Sequence, residues 1–299
     1  MNVSFFFEVL AGGLLAGVMY SLVALGFVLI YKASGVFNYA QGSMVFFAAL
    51  CFVSMLEGGL NFWLAIAITL AVMVVLGVLT ERIVLRPLVN QPPITLFMAT
   101  IGLSFVLEGI SQIIWGSQPH GLELGIPDVP IDWLSQKWNI NISQFDLFAA
   151  LVAGVLVAVL ALAFQKTRIG RALRAVADDH QAALAVGIPL QHIWAIVWAV
   201  AGFVALVAGV MWGVRNGVQY ALTFTALKAL PVLILGGFES ILGAIVGGLI
   251  IGASEKLAEV YLGPFVGGGI ESWFAYVVAL AFLLVRPEGL FGEKHIDRV

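Results

Sequence analysis

The chain has 299 residues, 62% of them hydrophobic and only 10% charged, with a formal net charge of −3 and a mean hydropathy of +1.06. A soluble domain needs a larger charged fraction to cover its surface, so composition excludes that class. No basic tract suggests a nucleic-acid partner, and a single cysteine, Cys51, excludes intrachain disulfides.

Apolar runs bounded by charge, Gly and Pro fall at about 5–31, 43–56, 62–85, 94–115, 146–166, 191–213, 222–236, 241–262 and 270–285. The opening "MNVSFFFEVLAGG" lacks the positive region of a cleavable signal peptide, so the first run is read as a retained span. Crossing a hydrocarbon layer takes about 20 helical residues, and several of these runs reach that length. A spanning segment must satisfy its own backbone, so the runs predict helices. The alternating segments of about ten residues that a barrel needs are absent. The pattern predicts an all-α integral membrane protein, a polytopic helical bundle with internal pseudo-symmetry. It forms a single transmembrane domain over 1–299 with about eight or nine membrane segments.

Lys and Arg set the orientation. With the N-terminus outside, the inner segments hold Lys32, Arg82, Arg86, Lys166, Arg168, Arg171, Arg174, Arg286, Lys294 and Arg298, ten of the 14 basic residues. The C-terminus is then cytoplasmic, and residues 116–145, with Trp133 and Trp138, form the largest external segment.

Two apolar runs are short, 43–56 and 222–236. The first follows "KASGVFNYAQGS"; the second contains Lys228 and Pro231 and ends in "GGFES". Paired broken or re-entrant segments in corresponding halves point to a transport pathway; ordinary interfacial loops with helix breakers are the plainer reading. On the pathway reading Asn38, Gln41, Ser43, Thr223, Thr225 and Lys228 line a central cavity. Lys228 admits two readings. It snorkels to the outer headgroups, or it meets an anionic group, a substrate carboxylate or a glutamate such as Glu239.

The densest charge, "RIGRALRAVADDHQAALAVGI", occupies 168–188. On a helix, Arg168, Arg171, Arg174, Asp178 and Gln181 share one face, and Ile169, Leu173, Val176, His180 and Leu184 the other. Arg174 and Asp178 are spaced to pair, and Gly187 is placed as a C-terminal cap before Pro189. A cytoplasmic amphipathic helix of this kind either lies on lipid headgroups or docks on a partner.

"QAALAVG" (181–187) is similar to the EAA-x-x-x-G loop of bacterial ABC importer permeases, with Gln181 where Glu is usual. "GRALRAVADDHQAALAVGI" resembles the same loop in the high-affinity branched-chain amino acid permeases of the LivH type. "GLLAGVMYSLVALGFVLIYKASGVFNYAQGSM" (13–44) resembles that family's opening segment, with Gln41 where His is usual. "ALPVLILGGFESILGAIVGGLIIG" (229–252) and "RPEGLFGEK" (286–294) resemble its closing segments. The resemblance implies a permease whose loop 167–190 is a coupling helix for a cytoplasmic ATPase. It gives Arg168, Arg171, Arg174, Asp178, Asp179, Ala182, Ala183 and Gly187 to that contact. It further implies a second related permease as heterodimer partner, two ATPase subunits and an external substrate-binding protein. The setting would be the bacterial inner membrane, with lipid around the spans.

No G-x-x-x-x-G-K-[ST] motif, catalytic constellation or metal-ligand pattern occurs, so ATP and magnesium are expected on partner subunits and no cofactor on this chain. Branched-chain or related amino acids are the implied cargo; urea, short amides and aromatic acids are carried by similar permeases. A self-contained secondary transporter would need intramembrane acids. Glu108, Glu255 and Glu259 are the candidates, the last two read as interfacial and Glu108 as a hydrogen bond between helices. An integral enzyme has no catalytic pattern behind it.

Overall fold

The structure is a computed structural model that describes residues 3–88, 91–178 and 180–292. Lys294 and Arg298, counted above toward the inner charge, lie outside the described residues. Every apolar run is helical. The helices are α1 (Val3–Ser34), α2 (Gln41–Glu57), α3 (Phe62–Leu79), α4 (Pro93–Trp115), α5 (Asp132–Trp138), α6 (Gln144–Lys166) and α7 (Arg168–Asp178). They continue as α8 (His180–Ala185), α9 (Leu190–Asn216), α10 (Ala221–Leu227), α11 (Ala229–Gly236), α12 (Ile241–Tyr261), α13 (Gly263–Val266) and α14 (Phe274–Val285). Among the described residues, six helices are long and apolar enough to cross a membrane: α1, α3 with the turns that extend it, α4, α6, α9 and α12. The protein is a polytopic helical membrane protein.

Three details add to or depart from the sequence expectation. α2 runs unbroken from Gln41, so the irregular backbone lies before it, at 35–40. The break in 222–236, which the sequence did not place, falls at Lys228. Pro231 stands in the first turn of α11, where a missing N–H costs nothing, so the chain breaks ahead of it. The run 270–285 opens with a 3-10 turn at Ile270–Ser272, leaving α14 with 12 residues, about 18 Å of rise and short of a full span.

The residues cluster into two compact units. The first comprises Met1–Leu25, Leu124–Ala158 and Lys228–Val299; the second comprises Gly26–Glu123 and Val159–Leu227.

In the second unit α2 is central. It is hydrophobic all round and almost wholly buried, as expected of a helix enclosed by neighbours. α3, α4, α9 and α10 pack on it. Glycines set the approach: a Cβ on Gly209 would lie 2.5 Å from the Val45 carbonyl oxygen, and one on Gly77 2.8 Å from the Trp198 backbone. α3 continues through a π-helical turn, Thr80–Leu85, whose buried Glu81 accepts a bidentate pair from Arg86.

In the first unit α12 is central, packed by α11 and α14. Gly13 and Gly17 of α1 face Gly252 and Gly248 of α12, and Ser21 Oγ donates to the Gly17 and Ile245 carbonyls. Residues 286–292 fold back, with the Leu290 and Phe291 N–H groups donating to Leu235 and Gly236. Residues 116–145 contribute α5, none of whose residues is buried and which exposes Trp133 and Trp138.

Gly17 and Gly12 separate close approach from helix propensity. A Cβ on Gly17 would sit 2.5 Å from the Gly248 carbonyl, whereas one on Gly12 meets nothing within 4 Å. Gly17→Ala is expected to destabilise by about 1–3 kcal/mol through overpacking, and Gly12→Ala to be neutral or mildly stabilising. Thermal unfolding of the two variants in the same detergent checks this, and equal melting temperatures would count against the contact.

Candidate functional site

The charged loop is built on a helix end. α6 stops at Lys166, and Thr167 caps α7 by accepting from the Gly170 N–H at 3.2 Å. Gly170 lies against the Phe164 carbonyl, where any Cβ would collide. Arg174 then reaches back to donate to the Phe164 carbonyl at 2.6 Å and to the Gln165 carbonyl at 3.2 Å. Arg171 donates to the Lys166 carbonyl at 3.4 Å. Two of the three arginines therefore satisfy carbonyls that the end of α6 leaves free, where the helix dipole also favours positive charge. Residue spacing alone does not reveal this use.

The expected single helix over 168–187 is described as α7 and α8. Asp179 lies outside the described residues, as does the side chain of Asp178, so their expected roles, including an Arg174–Asp178 pair, are not placed. Gly187 has φ +84° and ends the loop as expected, with the Gly187 and Ile188 N–H groups bonding back to Leu184 and Ala183.

The apolar residues of the loop divide. Leu173, Val176 and Ala183 pack inward; Ala183 is only 2% exposed. Ala183, expected at the partner contact, thus has its methyl group packed within the unit. Leu184 is 52% exposed and Val186 75%, and Ile169, Arg168 and Ala182 also face outward. Leu184 rims a cleft of about 360 Å³ lined also by Glu81, Pro189, Leu190, Gln191 and Trp194.

The expected pathway residues fall in two places. In the second unit Gly42 abuts Thr223, a Cβ there lying 2.6 Å from the Thr223 carbonyl, so the start of α2 and α10 do meet. Asn38, Gln41 and Ser43 are nevertheless buried without exposed surface, and they line no open cavity in this conformation. Their polar groups are spent internally. Asn38 donates to Gln41 at 3.3 Å and caps the Ala40 N–H, and Gln41 donates to the Ala201 carbonyl at 3.3 Å. Ser43 donates to Glu108 at 2.6 Å, which makes Glu108 a link between helices, as expected. Thr223 is buried; Thr225 is half-buried, its hydroxyl 3.4 Å from the Ala221 carbonyl.

Lys228 belongs to the first unit, where it meets a carboxylate. Its ammonium lies 2.8 Å from Glu255 Oε1 and 3.5 Å from the Glu271 carbonyl. Its partner is thus Glu255, not Glu239. Glu255 is only 2% exposed, and Tyr20 donates to the same oxygen at 3.3 Å. Glu259, by contrast, does sit at a helix end, accepting the Gly269 and Glu271 N–H groups at 2.9 Å. Sequence spacing could not have joined Lys228 to Glu255, which are 27 residues apart on different helices. Among the described residues no group of His, Cys, Asp and Glu could hold a metal ion.

The family described as "Branched-chain amino acid transport system / permease component" matches residues 9–286. The chain belongs to this family. The LivH permease protein of the high-affinity branched-chain amino acid transport system of Escherichia coli (strain K12) is 27% identical over 310 residues, covering 99% of this chain and 98% of LivH. BraD of Pseudomonas aeruginosa, of the same description, is 28% identical over 306 residues, covering 98% of each. The fructose import permease protein FruF of Bifidobacterium longum is 26% identical over 279 residues, covering 90% of this chain and 75% of that protein. The protein is therefore a transport permease component, and the charged loop and both polar clusters lie within the matched residues.

Removing one partner of a buried ion pair leaves the other charge uncompensated, at a cost of about 3–5 kcal/mol. Lys228→Met alone is expected to lower stability by that order, and Lys228→Met with Glu255→Leu to recover most of the loss. Unfolding of the single and double variants in detergent measures it; additive losses would show that the two side chains are not coupled.

Proposed function

We propose that this permease is the membrane subunit of an ATP-driven importer of branched-chain or related amino acids in the bacterial inner membrane. One observation carries the coupling part of the reading. The loop α7–α8 turns Leu184 and Val186 outward beside a cleft while its arginines hold it to the end of α6. An apolar projection on a firmly anchored loop suits a protein partner that docks on it and moves it. A helix lying on headgroups would instead present its arginines to phosphate. ATP and magnesium belong to that partner.

The basic residues favour the N-terminus outside and this loop in the cytoplasm. A chain with one such loop, working with a motor of two ATPase subunits, calls for a second related permease, so the assembly is a heterodimer of permeases on two ATPases. An external binding protein delivers the cargo. The LivH and BraD relatives favour branched-chain amino acids as that cargo, whereas FruF shows that likeness at this level extends to a sugar permease.

Two measurements test the reading. Native mass measurement of the purified complex should find this chain, a second permease and two ATPase subunits; a transport-competent assembly built on this chain alone would refute the heterodimer. Leu184→Asp with Val186→Asp should abolish co-purification of the ATPase and reduce amino acid uptake at least tenfold, with the membrane spans intact by circular dichroism. Full uptake by that double variant would remove the loop from the coupling role.

A further inference from the structure

Glu108 is a buried carboxyl group with no basic partner among the described residues. It is 7% exposed, within α4, about two turns from the helix end at Trp115. Its partners among the described residues are hydroxyl groups only. Ser43 donates to Oε1 at 2.6 Å, the Ser104 hydroxyl is 3.1 Å from the same oxygen, and the two serine hydroxyls are 2.7 Å apart. Tyr220 donates to Oε2 at 3.3 Å. In the other unit Lys228 pairs with the buried carboxylate of Glu255, and within the same unit as Glu108 Arg86 pairs with that of Glu81. Glu108 has only neutral donors, although an ionised carboxylate in a helix that crosses hydrocarbon is costly without a cation.

The surface beside this carboxylate, on the Tyr220 side, is aromatic. Tyr220 and Phe224 are exposed and meet edge to face at 5.5 Å, and Phe46 meets Tyr220 in the same way at 6.2 Å. A carboxylate that lacks a cation, approached past exposed aromatic rings, matches what recognises an organic ammonium. The rings attract it through their faces while the carboxylate accepts its hydrogens. Sugar hydroxyls and amides would not supply the missing charge.

We propose that Glu108, with Ser43, Ser104 and Tyr220 orienting it, is a transient site for the primary ammonium group of the cargo. This rests on the amino acid reading given above and narrows it to substrates that carry an ammonium. The Ser43–Ser104 pair holds the carboxylate in one rotamer, so the group waits in place for a cation instead of turning to find one. Under the orientation favoured by the basic residues, the site lies in the outer half of α4, where arriving cargo meets it early.

The test uses the full importer with its binding protein, reconstituted in vesicles, and reads leucine uptake. Glu108→Gln keeps the shape and an acceptor but removes the charge, and uptake should fall at least tenfold at normal assembly. Tyr220→Lys supplies a tethered ammonium to Glu108 from an exposed position, and it should block uptake at least tenfold by occupying the site. Either variant assembling normally and importing leucine at the wild-type rate would overturn the proposal and leave Glu108 as a hydrogen-bonded strut. If Glu108→Gln does not assemble, Tyr220→Lys decides alone. A wild-type complex that imports no amino acid would instead overturn the substrate reading under "Proposed function", a result distinguishable from the first because it appears before any substitution.

Discussion

Hydrocarbon offers a polar group no partner, so each one in this chain must find its own inside the protein. Lys228 and Glu255 show the consequence most directly. A lysine in an apolar stretch costs about 2.5–3.5 kcal/mol on insertion scales, and the chain meets that cost with a carboxylate 2.8 Å away. The same demand explains where the helix breaks. Lys228 stands at the start of α11, where N–H groups are unpaired in any case, and the lysine side chain serves Glu255 from there. A helix running straight through this point would have kept an α-helical bond that Pro231 cannot donate.

The demand also explains why Asn38, Gln41 and Ser43 are buried. Each sits at or near the irregular backbone between α1 and α2; Asn38 accepts from the Ala40 N–H of that stretch, while Gln41 ties it to the Ala201 carbonyl of α9 and Ser43 ties α2 to Glu108 of α4. Polar residues beside a broken segment therefore do not by themselves mark a wet pathway; they can be the repair that lets the break exist. The Glu108 cluster differs because the partners of its carboxyl group among the described residues are all hydroxyls.

Segment existence, helix type and approximate ends were legible in the sequence because hydropathy and breakers act locally. Gly187 was legible for the same reason: a helix stop before Pro189 needs a residue tolerant of positive φ, and its φ is +84°. Ser104 and Glu108 stand four apart on α4, a spacing that could have suggested their contact. The Tyr20–Glu255 bond, spanning 235 residues, could not be read from sequence. Nor could the burial of Glu255, because an average over the apolar run 241–262 says nothing of which face turns inward. The use of Arg171 and Arg174 on the carbonyls of α6 was hidden for another reason: arginine near a helix looks the same in sequence whether it serves solvent, lipid, a partner or a backbone.

That last use bears on how a loop can transmit force. A coupling element must be tied firmly to the spans it moves, yet must show a partner an adaptable face. Arg174 ties α7 to the last turn of α6 with two hydrogen bonds, and Leu173 and Val176 seat it inward. At the other end Gly187 and Pro189 pass directly into α9, whose Trp194 donates to the Ala33 carbonyl at 2.8 Å. α9 packs on α2, and α2 carries Ser43 to Glu108. On the docking reading, a displacement of the loop would reach the Glu108 cluster through packed helices, with Leu184 and Val186 left outside this chain of contacts to meet the motor. The arginines hold the loop, and the exposed aliphatic residues are the part a partner can push.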